Sequence, residues 1–411
     1  MRSEWTLKPL ASLAQEVTVG YVGPMADEYV AEGVPFLRSL NVSPFEINTN
    51  DLKFVTPEFH SKIKKSALQP GDVVIVRTGK PGTCAVIPEW LPDANCSDLV
   101  IARCGPELRP RFLCYWVNSV AAHHISSHLV GAVQQHFNVG AAKTMLVACP
   151  SLAEQDQIVS ILGALDDRIA LLRETNATLE AIAQALFKSW FVDFDPVRAR
   201  QQGLAPEGMD EATAALFPDG FEESELGLVP KGWGPIRLDS ILELAYGKAL
   251  KADARKLGDV PVYGSGGITG WHDAPLVNAP SVVVGRKGTV GSLYWESRPF
   301  FPIDTVFYVK TSKPLSYIYY LLQTLGLSEM NTDAAVPGLN RENVYRLKVP
   351  GATAKVISVF DDVVRHLRAP MDHNTFQAQT LATLRDTLLP RLISGQLRLP
   401  EVQAELEGAR P

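Results

Sequence analysis

Two short glycine-rich stretches carry the basic residues with the clearest chemical potential. They read RTGKPGTC from Arg77 and GRKGTVGS from Gly285, and each follows a run of valine or isoleucine that is typical of a buried strand. Glycine lets a backbone approach a ligand closely, so both stretches look like phosphate loops. Neither has the Lys-Ser/Thr pair that holds a nucleotide and magnesium, which argues against ATP hydrolysis by this chain.

The other polar loop residues have side chains suited to nucleic acid. Arginine pairs with guanine edges, asparagine and glutamine pair with adenine, and lysine suits phosphates. For each single residue, the competing interpretation is a solvated loop side chain without a ligand. The candidate DNA-binding residues of the first half are Arg38, Ser39, Asn41, Arg77, Lys80, Gln134, Gln135 and His136. Those of the second half are Ser265, Thr269, Arg286, Lys287, Asn340 and Arg341.

Residues for bond-making or bond-breaking chemistry do not assemble in this sequence. The Asn/Asp-Pro-Pro-aromatic stretch of adenine methyltransferases is absent. His124 and His128 have the spacing of one helix face, but no nearby carboxylate or thiolate completes a metal site. No Ser/His/Asp order and no acidic cluster indicates a hydrolase or nuclease. We therefore predict a chain with no catalytic residue, no metal and no cofactor of its own.

The elements that position these loops occur twice along the chain. Each half has a Val-Pro step, GVPFLRS from Gly33 and DVPVYGS from Asp259, followed by one of the glycine-rich stretches. A proline-started helix and a strand ending at Pro150 or Pro350 complete each half. This long-period repeat predicts two mixed α/β domains, each followed by a long helix.

The long helices carry the spacing of a coiled-coil seam, with key positions alternately four and three residues apart. In the first helix the seam is Ile158, Leu162, Leu165, Ile169, Leu172, Asn176, Leu179, Ala183, Leu186 and Trp190. A shift of 198 residues gives the weaker seam Val356, Phe360, Val363, Leu367, Pro370, Asn374, Gln377, Leu381, Leu384 and Leu388. A helix of about 40 residues is about 60 Å long, so an antiparallel pair would be a spacer.

Three residues of these seams carry specific expectations. Asn176 and Asn374 occupy equivalent positions and would set the register if their side chains meet. The alternative is that each faces solvent where the seam widens. Pro370 removes a helix hydrogen bond, so we expect a kink or a split in the second helix near this residue.

Together these patterns predict an α+β fold with two mixed α/β domains separated by two long antiparallel coiled-coil helices, and with a pseudo-two-fold internal repeat. The predicted segments are the domains 1–150 and 231–350, the spacer helices 151–196 and 351–400, the acidic connector 197–230 and the C-terminal tail 401–411.

The order of these features resembles the specificity subunit of type I restriction–modification systems over nearly the whole chain. The phrases that carry the resemblance are EQDQIVSILGALDDRI from Glu154, LFKSWFVDFDPV from Leu186, LVPKGW from Leu228 and LLPRLISGQL from Leu388. Each phrase is weak alone, but their order and spacing are specific. The resemblance implies two target-recognition domains, each reading one half of a bipartite, asymmetric double-stranded DNA sequence.

The resemblance also implies a non-catalytic subunit that works with partners. Two methylation subunits would dock on it, and restriction subunits would add ATP-driven translocation and cleavage. S-adenosylmethionine, ATP and magnesium would then belong to those partners. We expect Phe187, Trp190, Phe191 and Phe194 to form an apolar patch shared by the partner helix and a methylation subunit; burial wholly within this chain is the alternative.

Two rival functions are a non-catalytic protein-interaction scaffold and a solitary DNA-binding regulator. The formal net charge of -6 argues against a generally basic nucleic-acid coat and leaves room for local basic surfaces. The chain starts without an apolar leader and has no apolar run long enough for a membrane span. We therefore expect a cytoplasmic protein that does not bind membranes.

Overall fold

In the computed structural model, residues 5–130, 136–331 and 338–397 are described. The chain divides into two compact units. Unit 1 comprises residues 1–171 and 378–411, and unit 2 comprises residues 172–377. The boundary lies inside both long helices, so each unit combines one globular domain with one segment of each helix.

The domain of unit 1 is built on an antiparallel four-stranded sheet. Its order is Cys84–Val86, Val73–Val76, Leu99–Cys104 and Ala14–Val19. Alternate residues of Val73–Val76 join two apolar clusters, one of which contains the helix Pro110–Ser119, as the twofold alternation of a strand requires. A second sheet has the order Tyr29–Val30, Lys53–Val55, Val34–Leu37, Ala94–Cys96 and Ala67–Leu68.

The domain of unit 2 repeats this plan. Its four-stranded sheet has the order Leu293–Glu296, Ser281–Gly285, Val306–Lys310 and Glu243–Tyr246, and the helix Leu315–Gln323 belongs to its core. The smaller sheet has the order Gly267–His272, Val260–Gly264 and Phe301–Pro302. When the four strands of each of these sheets are numbered along the chain, their spatial order is 3-2-4-1 in both units. The predicted internal repeat is therefore confirmed.

The repeat extends to the end of each domain. A short helix capped by an asparagine side chain, Val139–Thr144 after Asn138 and Arg341–Arg346 after Asn340, precedes the last strand. That strand pairs with the first strand of its domain, Leu146–Cys149 with Thr6–Pro9 and Lys348–Pro350 with Pro235–Arg237.

The remaining elements are short. The further helices are Leu10–Leu13, Pro57–Lys62, Ala122–Ser127, Asp195–Gln201 and Glu211–Ala214, with single 3-10 turns at Ser39–Asn41, Lys64–Ser66, Leu238–Ser240, Ala252–Ala254 and Leu327–Glu329. The further strand pairs are Val42–Ser43 with Glu46–Ile47, Leu129–Val130 with His136–Phe137, and Phe221–Ser224 with Gly227–Pro230. Among the described residues, no helix has both the length and the apolar character that crossing a membrane requires.

The two long helices are Leu152–Phe191 and Ala354–Ile393. Within each unit their segments pack antiparallel. In unit 1 Ile158 and Leu162 share a core with Leu388 and Leu392, and in unit 2 Phe187 packs on Phe360. Every predicted seam position of the first helix is buried or half-buried, which confirms that seam.

The seam of the second helix differs from the prediction around Pro370. Val363 is 42% exposed and Pro370 is exposed, whereas Val364 and Met371 are buried. The helix continues through Pro370 without a break, so the expectation of a split was wrong. Pro370 lies on the exposed face of the helix, away from the buried side chains of Val364 and Met371.

The two seam asparagines meet inside unit 2. The Asn374 Nδ2 donates to the Asn176 Oδ1 at 2.9 Å, and the Asn176 Nδ2 donates to the Met371 carbonyl oxygen and to the Thr375 Oγ1 at 3.0 Å each. The register pairing is therefore confirmed, and the solvent-facing alternative is wrong.

An acid–arginine–tyrosine cluster joins the helix segments to the domain in unit 2. Arg368 pairs with Glu180 at 2.8 Å, and the Tyr320 hydroxyl donates to the same carboxylate at 3.1 Å. The guanidinium also lies 4.4 Å from the ring centroid of Trp295, and burial raises the pKa of Tyr320 well above its ordinary value. The first helix thus supplies the acid, the second supplies the arginine, and the domain supplies the rings.

Unit 1 contains a cluster of the same composition. Arg385 pairs with Asp166 at 2.8 Å and lies 4.6 Å from the ring centroid of Phe45. The Tyr115 hydroxyl donates to the Asp166 carboxylate at 2.5 Å. Again the acid comes from the first long helix and the arginine from the second.

We predict that Asn374→Ala lowers the free energy of unfolding by about 1 kcal/mol, because it leaves the half-buried Asn176 amide oxygen without its partner. The double variant Asn176→Leu/Asn374→Leu should recover most of this loss, because it leaves no unpaired polar group at the seam. Urea unfolding followed by helical circular dichroism measures both. A double variant less stable than the single variant would contradict this account of the pair.

Candidate nucleic-acid interface

The glycine-rich stretches lie at the same sheet edge in both units. In unit 2 the register pairs Tyr246 with Phe307 and Gly285 with Val306. The ends of Glu243–Tyr246 and Ser281–Gly285 therefore lie on either side of the start of Val306–Lys310. The loops that leave these strands must share one edge of the sheet.

The turn after Ser281–Gly285 is closed by backbone hydrogen bonds. The Gly285 amide donates to the Ser292 carbonyl oxygen at 2.7 Å, and the Gly291 amide donates to the Gly285 carbonyl oxygen at 2.8 Å. Gly288 has a φ of 85° and Gly291 a φ of 71°, which side chains with a Cβ rarely adopt. The glycines are therefore required by the turn itself.

The turn of unit 1 has the same hydrogen bonds and dihedral angles. The Val76 amide donates to the Thr83 carbonyl oxygen at 2.8 Å, and the Gly82 amide donates to the Val76 carbonyl oxygen at 3.0 Å. Gly79 and Gly82 have φ values of 82° and 93°. Arg77 in unit 1 therefore corresponds to Arg286 in unit 2.

The segment before each short capped helix runs beside this arginine. The Phe137 amide donates to the Arg77 carbonyl oxygen at 3.0 Å, and the Leu339 amide donates to the Arg286 carbonyl oxygen at 2.8 Å. Asn138 and Asn340 follow directly. Residues about 50 to 60 positions apart in the sequence are thus neighbours at each edge.

Arg77 forms an ion pair and a hydrogen bond within unit 1, and it is not the free surface cation that the sequence suggested. Its Nη1 lies 2.5 Å from the Asp98 Oδ1, and its Nε donates to the Phe137 carbonyl oxygen at 3.0 Å. Lys80 is exposed at the tip of the same turn. Of these two candidates, Lys80 has the side chain available to a ligand.

The other candidates of the first half have different surroundings. Arg38 donates from Nη2 to the Asp51 carboxylate at 2.8 Å, and this bond, together with one from Lys53, lowers the pKa of Asp51 to about 2. Ser39 is half-buried at the start of the adjacent 3-10 turn. Gln134 and Gln135 lie outside the described residues, as does the side chain of His136.

Asn41 requires a correction as a surface contact. Its side chain is fully buried. The amide nitrogen donates to the carbonyl oxygens of Asn48 and Asn50 at 3.0 and 3.1 Å, and the amide oxygen accepts from the Arg38 amide at 3.0 Å. Asn41 therefore holds its loop in shape and has no free edge to offer a base.

In unit 2 the structure brings most of the predicted residues together around an exposed tyrosine. The guanidinium carbons of Arg286 and Arg341 each lie 5.1 Å from the ring centroid of Tyr246. Lys287 is exposed next to Arg286 and forms a backbone bridge with Gly338. The sheet edge of unit 2 thus presents several positive charges at one place.

The remaining predicted residues of unit 2 border this group. The Ser265 Oγ accepts from the Thr289 amide at 3.4 Å, which joins its loop to the glycine turn. The Asn340 side chain caps the helix that starts at Arg341 and accepts from the Glu342 amide at 2.8 Å. Thr269 lies on the neighbouring strand, where its hydroxyl donates to the Val262 carbonyl oxygen at 3.3 Å.

Sequence reasoning missed Tyr246 and Lys248. Tyr246 is 51% exposed although it ends a strand, and Lys248 is exposed with its amide bonded to the Pro302 carbonyl oxygen at 3.0 Å. The available signal was the sequence AYGK, in which an aromatic residue and a lysine flank Gly247.

The predicted docking patch is part of the core of unit 2. Phe187, Trp190, Phe191 and Phe194 are all buried. Phe191 packs on Trp233 and Phe360, with ring centroids 6.0 and 5.2 Å away. Burial within this chain is therefore correct for these residues, and the shared partner patch is not.

The connector contributes to the same core. The Phe217 ring centroid lies 5.2 Å from that of Trp190 and 6.2 Å from that of Trp233. Phe217 is fully buried, whereas most of the acidic side chains around it are exposed. Phe217 thus anchors the segment between the first long helix and the second domain in the core of unit 2.

The described side chains at the sheet edges are suited to binding a ligand. In the described part of the chain, no group of three or more His, Cys, Asp or Glu residues could hold a metal ion. The chemistry on offer is hydrogen bonding and positive charge, which suits phosphates and base edges.

Comparison with known proteins gives a consistent result. A model of the type I restriction modification DNA specificity domain matches residues 26–181 and 230–350. The HindI specificity subunit of Haemophilus influenzae is 26% identical in an alignment 314 residues long, and the match covers 60% of this chain and 68% of that protein. The EcoBI specificity subunit of Escherichia coli is 26% identical in an alignment 197 residues long, and the match covers 44% of this chain and 40% of that protein.

A solved structure also resembles the whole chain. The crystal structure of the S subunit of a type I restriction-modification system from M. genitalium aligns with a TM-score of 0.53 and 19% sequence identity. The alignment covers 95% of this chain and 96% of that one. This similarity shows the shared fold.

We predict that Arg77→Ala lowers the free energy of unfolding by about 2 kcal/mol, because the half-buried Asp98 carboxylate and the Phe137 carbonyl lose their donor. Lys80→Ala should leave stability within about 0.5 kcal/mol of the parent, because Lys80 is exposed. Chemical unfolding of both variants tests the distinction. Equal stability of the two variants would contradict a stabilising role for the Arg77 contacts with Asp98 and Phe137.

Phe191→Ala should destabilise unit 2 by about 3 to 5 kcal/mol, as expected for deleting a buried ring. Val192→Ala is the matched control, because Val192 is exposed and follows directly after the last residue of this helix. Near-ultraviolet circular dichroism and urea unfolding report the change. A stable Phe191→Ala variant that fails to copurify with a partner would restore the docking interpretation.

Proposed function

This chain belongs to the type I restriction modification DNA specificity family, and on that premise we propose that each of its domains reads one half of a bipartite, asymmetric DNA sequence. The chain is a DNA-recognition subunit and not itself an enzyme. It acts with DNA and with other subunits of a restriction–modification system. Family membership does not favour the protein-interaction scaffold or the solitary regulator.

The duplicated sheet edge is the observation that carries this proposal. Both units place a glycine turn, an arginine after the strand and an asparagine-capped helix at the same position. The exposed side chains on this shared frame differ, with Lys80 in unit 1 and Tyr246 and Lys287 in unit 2. A common backbone with different exposed side chains suits recognition of two unlike half-sequences.

The partners in this proposal are two methylation subunits that dock on the long helices and restriction subunits that join them. Exposed apolar side chains on the helix segments of unit 2, Ile182 and Phe376 among them, support docking there. S-adenosylmethionine, ATP and magnesium would bind to these partners and not to this chain. The complex would work in the cytoplasm.

The direct test is a genome-wide map of methylated adenines in cells that carry the neighbouring methylation subunit, with and without this chain. We expect a motif of two short, unlike halves around a fixed gap, present only with this chain. Lysine can pair with a guanine edge as well as with a phosphate, so Lys80→Ala should change one half of the motif, and Lys287→Ala should change the other. An unchanged map with an active methylation subunit would refute DNA recognition by this chain.

A further inference from the structure

The two arginines on Tyr246 form an unusual concentration of positive charge. Both guanidinium carbons lie 5.1 Å from the ring centroid, and Arg286 also lies 5.8 Å from the Phe307 ring. The rings stabilise each cation, but two like charges on one ring repel each other. An anion that binds both guanidinium groups would offset that repulsion.

Neutralisation of these charges within the described part of the chain is weak. The Arg286 Nη1 donates to the backbone carbonyl oxygen of Asp304 at 2.8 Å, which supplies no formal charge. The Arg341 Nη2 lies 3.6 Å from the carboxylate of the adjacent Glu342, which is largely exposed. A pair at that distance with a largely exposed carboxylate contributes little, so the positive charge of the two arginines is largely uncompensated.

In unit 1, the positive charge of the corresponding arginine is neutralised by a carboxylate. Arg77, the counterpart of Arg286, pairs with the Asp98 carboxylate at 2.5 Å. Val19 is the counterpart of Tyr246, because the next residue in each case is a glycine whose amide donates to the first residue of the adjacent strand, Leu99 or Val306. Val139 is the counterpart of Arg341, because each directly follows the asparagine that caps its helix. Val19 and Val139 carry no charge, so the two arginines on one tyrosine ring have no equivalent at these positions of unit 1.

We propose that Tyr246, Arg286 and Arg341 form a phosphodiester-binding site of unit 2 that has no counterpart in unit 1. A guanidinium suits a phosphate through charge-assisted hydrogen bonds. The Tyr246 ring and the Asp304 carbonyl oxygen hold the Arg286 guanidinium in place, and its remaining N–H donors can bind phosphate oxygens. Exposed Lys287 and Lys248 extend the positive surface on the same edge.

This inference rests on the proposed function and adds an asymmetry to it. Unit 2 would contribute more of the phosphate contacts, so its half of the site would account for more of the salt dependence of binding. Unit 1 would depend more on contacts with base edges.

The test uses the full chain in complex with its methylation subunits and a duplex that carries the mapped motif. Binding constants are measured between about 50 and 200 mM salt for the parent, Arg341→Gln, Arg286→Gln and the double variant. A plot of log K against log salt has a negative slope, and this slope should become shallower by about one for each arginine replaced. The same change is expected on a duplex of unrelated sequence.

Arg237→Gln is the matched control, because Arg237 is an exposed arginine of unit 2 that pairs with Asp239 at 2.5 Å. Its slope should equal that of the parent. Arg341→Gln keeps the test valid if Arg286→Gln impairs folding, because Arg286 alone of the two holds the Asp304 carbonyl oxygen. Melting curves of each variant identify such a loss.

The outcomes separate the two proposals. Unchanged slopes in Arg341→Gln and in the double variant would overturn the phosphate site while leaving DNA recognition intact. A loss confined to the mapped motif, with the slope unchanged, would also overturn it and would assign the arginines to base reading. A parent complex without salt-dependent DNA binding would refute the proposed function and this inference together.

Discussion

A partly buried acid–arginine pair in each unit is the interaction on which the described architecture depends. Glu180 with Arg368 and Asp166 with Arg385 each join the two long helices. Removing such charges from water is unfavourable unless both partners stay together with further hydrogen bonds. A tyrosine of the domain donates to each carboxylate, so the domain and both helix segments are fixed by the same few atoms.

The same constraint explains how apolar seams with little sequence specificity reach a defined pairing. Leucine and isoleucine seams can slide by a heptad with little loss of buried area. The asparagine pair and the acid–arginine pair are satisfied together in one register only, because each needs its partner at hydrogen-bond distance. Apolar burial stabilises the helices, and these polar contacts choose the arrangement.

At the sheet edges, backbone geometry and exposed chemistry are separated. The glycine turns, the bonds to Phe137 and Leu339, and the asparagine caps are the same in both units. The side chains on this frame are not: Arg77 is held by a carboxylate, whereas Arg286 packs on Tyr246 beside Arg341. A shared backbone arrangement with different exposed side chains suits a protein that recognises two unlike half-sequences.

Local sequence patterns were enough to predict the repeat, the two α/β domains, the two long helices and the first heptad seam, because strand alternation, glycine turns and heptad spacing involve residues close together in the chain. It also identified the loops that meet at each sheet edge. The folded chain was needed to show that Asn41 is buried, that Arg77 is paired, that Val364 and not Val363 joins the seam, and that the aromatic residues near Phe191 are core. Each of these depends on a partner distant in sequence, such as Asp98 or Trp233, and a local pattern contains no information about which distant side chain will lie against it.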